Sequence, residues 1–257
     1  MNIVQEFPLF LLVLVRMTSF FLVAPLFSYK TIPSRFKLSF AIIFSFIITL
    51  TLTSQKVEWG SQYPLLLVKE AIVGLSIGFV AGILFYAIQL AGTFIDLQMG
   101  FAMANLINPE NGSSTPLSGQ FLYIIMMVFL FTTNAHYMIL NGIYYSFQLV
   151  PIDVVGIHLD QGSTAHFVTE LTAKMFAIAL QMALPIVGCL FLVDVAVGII
   201  ARTVPQLNVF VVGVPLKIGI GLIILLVVMP LLVAMFREVF ELSADAMKEF
   251  MTYLGSS

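Results

Sequence analysis

Ionisable side chains are rare in this sequence, and several of them interrupt long apolar runs. Arg16, Glu70, Asp96 and Asp194 lie inside such runs, and Lys69 lies at the edge of one. A charge at the middle of a bilayer costs several kcal/mol, so groups of this kind pair with one another or face water. Two roles fit them: structural ion pairs between helices, and a proton relay. Arg16 is near the middle of its run, where a long side chain could also snorkel to the interface.

Motifs for catalysis or metal binding are missing from the sequence. It contains no HExxH, GxSxG, Walker or GxGxxG pattern. The histidines lack metal-ligand spacing, since His158 and His166 are eight residues apart. His136 follows Asn134 near the end of an apolar run, which indicates an interfacial, hydrogen-bonding histidine. We therefore predict no catalytic residues, no metal and no cofactor, and a protein that is not an enzyme.

The composition is that of a membrane protein. Of the 257 residues, 60% are hydrophobic and only 9% are charged, against about 25% charged residues in soluble domains. The mean hydropathy is +1.08. The apolar runs are too long and too uniform for barrel strands, which predicts one all-α integral membrane unit. The net charge of −2 argues against nucleic acid as a partner, and the acidic first six residues do not predict a cleavable signal peptide.

Two of the apolar stretches have unusual lengths for membrane spans. A span needs about 20 residues. The second stretch has 15 residues and predicts a marginal, re-entrant or protein-buried helix. The third has 35 residues and must be kinked, strongly tilted or projecting, because about 52 Å of helix exceeds a hydrocarbon core of about 30 Å. Both lengths favour packing on protein more than on lipid. The six stretches are residues 7–27, 38–52, 65–99, 121–140, 176–200 and 210–236.

Two links between the stretches are basic. One carries Lys30, Arg35 and Lys37, and the other, taken to include the first residues of the last stretch, carries Arg202 and Lys217. With six spans the positive-inside rule puts both links in the cytoplasm and both termini outside. Residues 141–174 form a second polar link. Residues 237–257 predict an amphipathic C-terminal helix that lies on a membrane or on a partner.

A polar and small-residue face runs along the third stretch when it is drawn as a helix. Glycines at a spacing of four let helix backbones approach closely in a membrane. The face therefore predicts a tight helix contact buried in protein, with a water-filled path as the alternative for its polar groups. Its members are Glu70, Gly74, Gly78, Gly82, Gln89, Gly92 and Asp96.

Residues 100–120 form a turn-rich segment between two apolar stretches. A solvated connector is the default for such a run, but its first half is apolar, which a connector has no need of. Non-helical backbone at membrane depth is tolerated only inside protein or beside a water-filled cavity, so the alternative is a movable plug that closes a pore by dewetting. The plug candidates are Gly100, Phe101, Met103, Asn105, Leu106, Ile107, Pro109, Gly112, Ser113 and Pro116.

Over nearly its whole length the sequence resembles the FliR family of flagellar export-gate proteins, which has relatives in injectisomes. The N-terminal part of the resemblance is RMTSFFLVAP at residues 16–25 and PSRFK at 33–37. The middle part is Glu70-x3-Gly74-x3-Gly78-Phe79 and Gln89-x2-Gly92-x3-Asp96-x-Gln98-x-Gly100-Phe101, followed by Asn108-Pro109. The last part is Arg202-x2-Pro205-Gln206-x-Asn208-Val209-Phe210 and Gly213-x-Pro215-x-Lys217.

The resemblance implies an architecture and partners. Residues 1–150 would be similar to FliP, with the plug loop at 100–120, and residues 176–236 would be a FliQ-like helix hairpin. The chain would wind with FliP-like and FliQ-like subunits into a helical hetero-oligomer in the bacterial inner membrane, at the flagellar basal body, and would work with FlhB-like and FlhA-like export proteins. Arg202, Pro205, Gln206, Asn208 and Lys217 would form a cytoplasmic loop that contacts partners.

The predicted function is that of a non-enzymatic subunit of the flagellar type III export gate, which forms and plugs the channel for unfolded flagellar proteins. The equivalent injectisome subunit is the alternative within the family. Two rivals come from other classes: a stand-alone proton-coupled transporter with Asp96 and Asp194 as coupling sites, and a scaffold that never lines the pore.

Overall fold

In the computed structural model most of the described residues lie in α-helices. The structure describes residues 3–27, 32–52, 57, 59–101, 116–156, 161–204, 206 and 208–255. These residues contain no strand and form α1 (Ile3–Val23), α2 (Ser34–Thr51), α3 (Tyr63–Ile83), α4 (Tyr86–Met99), α5 (Leu117–Thr132), α6 (His136–Leu149), α7 (Gln161–Thr203) and α8 (Val209–Gly255). The prediction of an all-α protein is confirmed.

The chain divides into two compact units, and each is assembled from separate parts of the sequence. The first unit comprises residues 1–84, 134–172 and 240–257, and the second comprises residues 85–133 and 173–239. The first therefore holds α1, α2, α3 and α6 with the beginning of α7 and the end of α8. The second holds α4, α5 and the remaining parts of α7 and α8.

In the first unit α1 packs between α2 and α3, and the contact with α3 is made through glycines. A Cβ at Gly74 would overlap the carbonyl oxygen of Arg16, and one at Gly78 would come within 2.9 Å of the carbonyl oxygen of Phe20. The glycines thus bring the two backbones together, because any side chain there would force the helices apart. On its other side α1 meets α2 through aromatic rings, with the centroid of Phe21 6.1 Å from that of Phe40.

The last turns of α8 are covered by the first unit itself. The Ser243 hydroxyl donates to the carbonyl oxygen of Ala81 at 2.8 Å, and the ring of Phe250 stacks 5.7 Å from that of Phe167. The side chain of Met247 is fully buried. The sequence predicted an amphipathic helix here, lying on a membrane or on a partner. In the structure α8 continues through residue 237 without a break, and the apolar face of its last turns packs within the first unit. The contact of this helix with a membrane or a partner stays a prediction.

In the second unit α4 and α5 are the helices in closest contact. Gly92 lies against Gly119, and a Cβ on Gly92 would overlap the backbone of Gly119. Pro116 is the N-cap of α5, and its fixed φ suits the entry to a helix. The side chain of Met99 fills the space beside Gly221, where α8 has no Cβ.

Three boundaries differ from those predicted. The third stretch is divided between α3 and α4 by a turn at Leu84 and Phe85, both of which keep right-handed helical dihedrals. The fourth stretch ends at Thr132, because Asn134 takes a left-handed φ of 58°, which asparagine tolerates better than most residues. The polar link predicted at 141–174 is largely α6 and the start of α7.

By length and composition, four helical segments among the described residues could cross a membrane, and five if the interrupted pair α5 and α6 counts as one span. The four are Ser34–Thr51, Tyr63–Met99, Gly162–Thr203 and Val211–Gly255. The most apolar window of the segment from 63 to 99 is 67% buried within the chain, whereas the window in α2 is only 22% buried. The apolar side chains of α2 are therefore mostly uncovered within this chain. The interpretation of α2 as a marginal, re-entrant or protein-buried helix stays a prediction.

Candidate functional site: two polar clusters and the base of a loop

The guanidinium of Arg16 is the centre of a buried polar cluster in the first unit. Its Nε donates to Glu70 Oε2, and one terminal nitrogen donates to Glu70 Oε1 at 2.9 Å and to the Val150 carbonyl at 3.0 Å. The other donates to the Ser146 carbonyl at 2.9 Å and to the Ser146 hydroxyl at 3.2 Å. Five hydrogen bonds match the five N–H groups of an arginine. Arg16 and Glu70 are both 0% exposed, so Arg16 does not snorkel.

Two further contacts complete this group, which we call the Arg16 cluster: Arg16, Lys69, Glu70, Ser146 and Phe147. The ammonium of Lys69 lies 3.0 Å from Glu70 Oε1 and donates to the carbonyl of Pro151. The guanidinium carbon of Arg16 lies 4.4 Å from the centre of the Phe147 ring, within cation–π distance. The cluster thus ties α1 and α3 to the C-terminal end of α6. Of the two roles open from the sequence, this geometry fits a structural ion pair, because none of the three charged groups has appreciable contact with water.

The carboxylate of Asp96 connects the two helices that flank the 101–115 segment. Both of its oxygens accept from the backbone N–H of Ser118, at 3.1 Å and 3.2 Å. Ser118 is in the first turn of α5, where backbone N–H groups lack partners within the helix and a negative charge is favourable. Asp96 therefore caps α5 from α4.

The N-terminal side of the same segment is fixed by a helix ending. Gly100 ends α4 in the left-handed region with a φ of 90°, where glycine is favoured because it has no Cβ. Its N–H donates to the Asp96 carbonyl at 3.1 Å. Main chain and side chain of Asp96 thus hold Gly100 and Ser118 respectively. We call Asp96, Gly100, Pro116, Ser118 and Gly119 the loop base.

A second polar cluster lies on α4, α7 and α8, and we call Gln98, Asp194 and Lys217 the Asp194 cluster. The ammonium of Lys217 lies 2.8 Å from Asp194 Oδ1 and 2.9 Å from Oδ2. The side-chain amide of Gln98 donates to Asp194 Oδ2 at 2.8 Å. The carboxylate of Asp194 on α7 therefore binds side chains from both α4 and α8. Lys217 was predicted in a cytoplasmic loop; the structure places it about two turns inside α8, where it pairs within the chain.

The remaining candidates are distributed as follows. Gln89 is partly buried, and its carbonyl lies 3.0 Å from the position that a Cβ on Gly119 would take. The ring of His136 lies 4.3 Å from that of Tyr137. Arg202, Gln206 and Asn208 are exposed. Met103, Asn105, Leu106, Ile107, Pro109, Gly112, Ser113 and Pro205 lie outside the described residues.

Comparison with known proteins decides the family. The model of the bacterial export proteins, family 1, matches residues 7–243. Over all 257 residues the chain is 43% identical to the flagellar biosynthetic protein FliR of Bacillus subtilis (strain 168), of which it covers 99%. This chain belongs to the FliR family.

Other relatives show the breadth of that family. The chain is 29% identical over 241 residues to the flagellar biosynthetic protein FliR of Escherichia coli (strain K12), with 92% of this chain and 91% of the relative covered. It is 33% identical over 163 residues to the Yop proteins translocation protein T of Yersinia pestis, with 63% of this chain and 62% of the relative covered. The resemblance read from the motifs is confirmed, and the chain is a multi-pass membrane protein of this export family.

Several contacts of this FliR-family chain were not foreseen from its residues. Ser146 was not predicted as a partner of Arg16, and Ser118 and Gly119 were counted as part of the 100–120 segment. A signal for the second pair exists, because Pro116 stands about one turn before the apolar stretch that begins at residue 121, and proline is common at helix starts. No such local signal marks Ser146, whose partner is 130 positions away. Among the residues that the structure describes, no group of three His, Cys, Asp or Glu side chains could hold a metal ion.

Proposed function

We propose that this chain is a subunit of the flagellar type III protein export gate, which forms part of the channel for unfolded flagellar proteins across the bacterial inner membrane. The full-length identity of 43% to a flagellar biosynthetic protein FliR carries the proposal. The match to a Yop translocation protein covers only 63% of the chain, which favours the flagellar apparatus over an injectisome. The gate role is that of a structural component, so we propose no enzymatic activity.

The surfaces of α2, α7 and α8 support assembly with other membrane subunits. The most apolar windows of α7 and α8 are each only 17% buried within the chain. Their outward side chains are large and apolar, for example Leu192 at 67% and Val227 at 74% exposed. Lipid or apolar partners must cover them. On the family resemblance we assign the α7–α8 pair as the FliQ-like hairpin, the part before residue 150 as FliP-like, and FliP-like and FliQ-like subunits as neighbours at the basal body.

The segment between Gly100 and Pro116 is proposed as the plug of the closed channel. The resemblance to the FliR family supports this assignment, and the first half of the segment is apolar, as closure by dewetting requires. The loop base supports the idea from the structure, because a plug needs a fixed foundation. Asp96 supplies it by holding α4 and α5 together at both ends of the segment.

The partner assignment has a direct test. The tagged chain is purified in a mild detergent from cells that express the complete flagellar operon, and the co-purifying proteins are identified by mass spectrometry. FliP-like and FliQ-like subunits in defined ratio are expected, with FlhB-like and FlhA-like proteins in addition under gentler conditions. Purification as a homo-oligomer alone would favour the transporter and contradict the gate.

The pore assignment needs a contact with the exported chain. Single cysteines at Met103 and Ser113 are introduced into a Cys189→Ser background, and an export substrate is arrested by a folded fusion partner. Crosslinking to the arrested substrate is expected at both positions. Its absence, in a complex that retains export, would favour a scaffold that never lines the pore.

A further inference from the structure

Three consecutive residues at the end of α4 are held by α7 and α8. Gln98 donates its side-chain amide to Asp194 of α7. The side chain of Met99 occupies the space left by Gly221 of α8. A Cβ at Gly100 would lie 3.7 Å from Val214 of α8. The end of α4, from which the 101–115 segment starts, thus rests against both long helices within one compact unit.

Asp194 is the polar part of this contact. Its two oxygens accept from Lys217 at 2.8 Å and 2.9 Å, and one of them also accepts from Gln98 at 2.8 Å. Hydrogen bonds to an ionised group are roughly twice as strong as neutral ones. The Lys217 ammonium pairs with this carboxylate between two long, mainly apolar helices. Without the carboxylate, the Gln98 amide and the Lys217 ammonium both lose their acceptor.

We propose that Asp194 is a positioning residue for the loop base. Its carboxylate, held by Lys217, fixes the C-terminal end of α4 against α7 and α8, and a displacement of these helices is passed through Gln98 to the start of the segment after Gly100. The consequence for export rests on the proposed gate function. The contact itself does not, and it is tested separately.

The contact is measured by disulfide formation between α4 and α8. Cysteines at Met99 and Gly221 in a Cys189→Ser background report it, because the shorter side chain at 99 makes room for a Cβ at 221, and a disulfide needs Cβ atoms about 4 Å apart. The rate of oxidation is measured in the detergent-solubilised full chain, with and without its co-purifying proteins. We expect Asp194→Ala to lower the rate by about tenfold, because the Gln98 amide loses the acceptor that holds the end of α4 against α7.

Two further variants separate positioning from folding. Gln98→Leu leaves the ion pair of Asp194 and Lys217 intact and removes only the link to α4, so it should lower the crosslinking rate without lowering the amount of complex. The double exchange Asp194→Lys with Lys217→Asp should bring the crosslinking rate, which Asp194→Ala lowers, back to that of the wild type. The reason is that the side-chain carbonyl of Gln98 can accept a hydrogen bond from the new lysine. Asp245→Ala is the matched control, since Asp245 pairs with Lys248 at 4.0 Å on the exposed side of α8.

The outcomes are distinct. A crosslinking rate that is unchanged in Gln98→Leu overturns the proposal, whatever happens to export. A lowered rate that the charge exchange restores supports it. Export of a flagellar substrate is measured in the same variants. Normal export together with a lowered crosslinking rate would contradict the proposed effect on the gate. If the wild-type chain does not assemble with gate subunits, the proposed function is contradicted, but the contact between α4 and the long helices is not.

Discussion

Gly92 and Gly119 lie in backbone contact, so that a Cβ on Gly92 would occupy the same space as the main chain of Gly119. The reverse substitution would be blocked as well, because a Cβ on Gly119 would come within 3.0 Å of the Gln89 carbonyl oxygen. This contact sets the separation of α4 and α5 one turn away from the Asp96 carboxylate. The distance between two helix axes, and with it the geometry of the loop base, depends on two missing methyl groups.

Gly92→Ala should therefore destabilise the chain. Overpacking of a tight contact costs about 1–3 kcal/mol, and here the obstacle is backbone, which cannot rotate away. The check is thermal unfolding of the purified chain in detergent. Gly188→Ala on α7 is the matched control, since a Cβ there would meet nothing within 4 Å. Equal melting temperatures for the two variants would contradict the contact.

Glu70→Ala should be more damaging than Lys69→Met. Loss of Glu70 leaves the buried Arg16 guanidinium without its anion, and breaking a buried pair by removing one partner costs about 3–5 kcal/mol. Loss of Lys69 leaves Arg16 and Glu70 paired. Accumulation in the membrane and resistance to thermal aggregation report the difference. A reversed order would show that Lys69, and not Arg16, is the main partner of Glu70.

Asp96→Ala should weaken the start of α5, whereas Asp96→Asn should keep most of the cap. Loss of an N-capping side chain costs about 0.5–2 kcal/mol, and asparagine still offers one oxygen to the Ser118 N–H. The measurement is hydrogen exchange at Ser118, which should be faster in the alanine variant than in the asparagine variant. Unchanged exchange in both would show that the carboxylate is not the acceptor in solution.

Deletion of residues 108–115 should raise the ion conductance of resting cells that express the gate. The deletion keeps Pro116, so the start of α5 and the loop base remain intact while the proposed plug is shortened. Conductance and export are measured together, because a plug affects the first even when the second continues. Exchange of Phe101, Met103, Leu106 and Ile107 for serine at full length is the companion variant, and it should leak for lack of an apolar seal. Normal conductance in both the deletion variant and the serine variant would contradict the plug hypothesis.

Tertiary contact revised several predictions that had been correct locally. The polar and small-residue face of the third stretch is buried, as its period predicted. However, the helix is interrupted at Leu84 and Phe85, so the first half of this face packs on α1 and the second half packs on α5. Neither residue of the turn is a proline or a glycine, so the sequence does not predict the interruption. Lys217 was assigned to a cytoplasmic loop because it is charged. The structure shows it within α8, where its ion pair with Asp194 explains why a lysine is tolerated in a membrane helix.

The sequence alone determined that this is an all-α membrane protein, because the composition and the length of the apolar runs distinguish membrane proteins from soluble ones. The order of its motifs identified the family. Glycine spacing also determined which face of the third stretch would be buried. The pairing of charges was decided only in three dimensions. Arg16 meets Glu70 across 54 positions and Ser146 across 130, and a helical period carries no information about which distant helix a buried side chain will face.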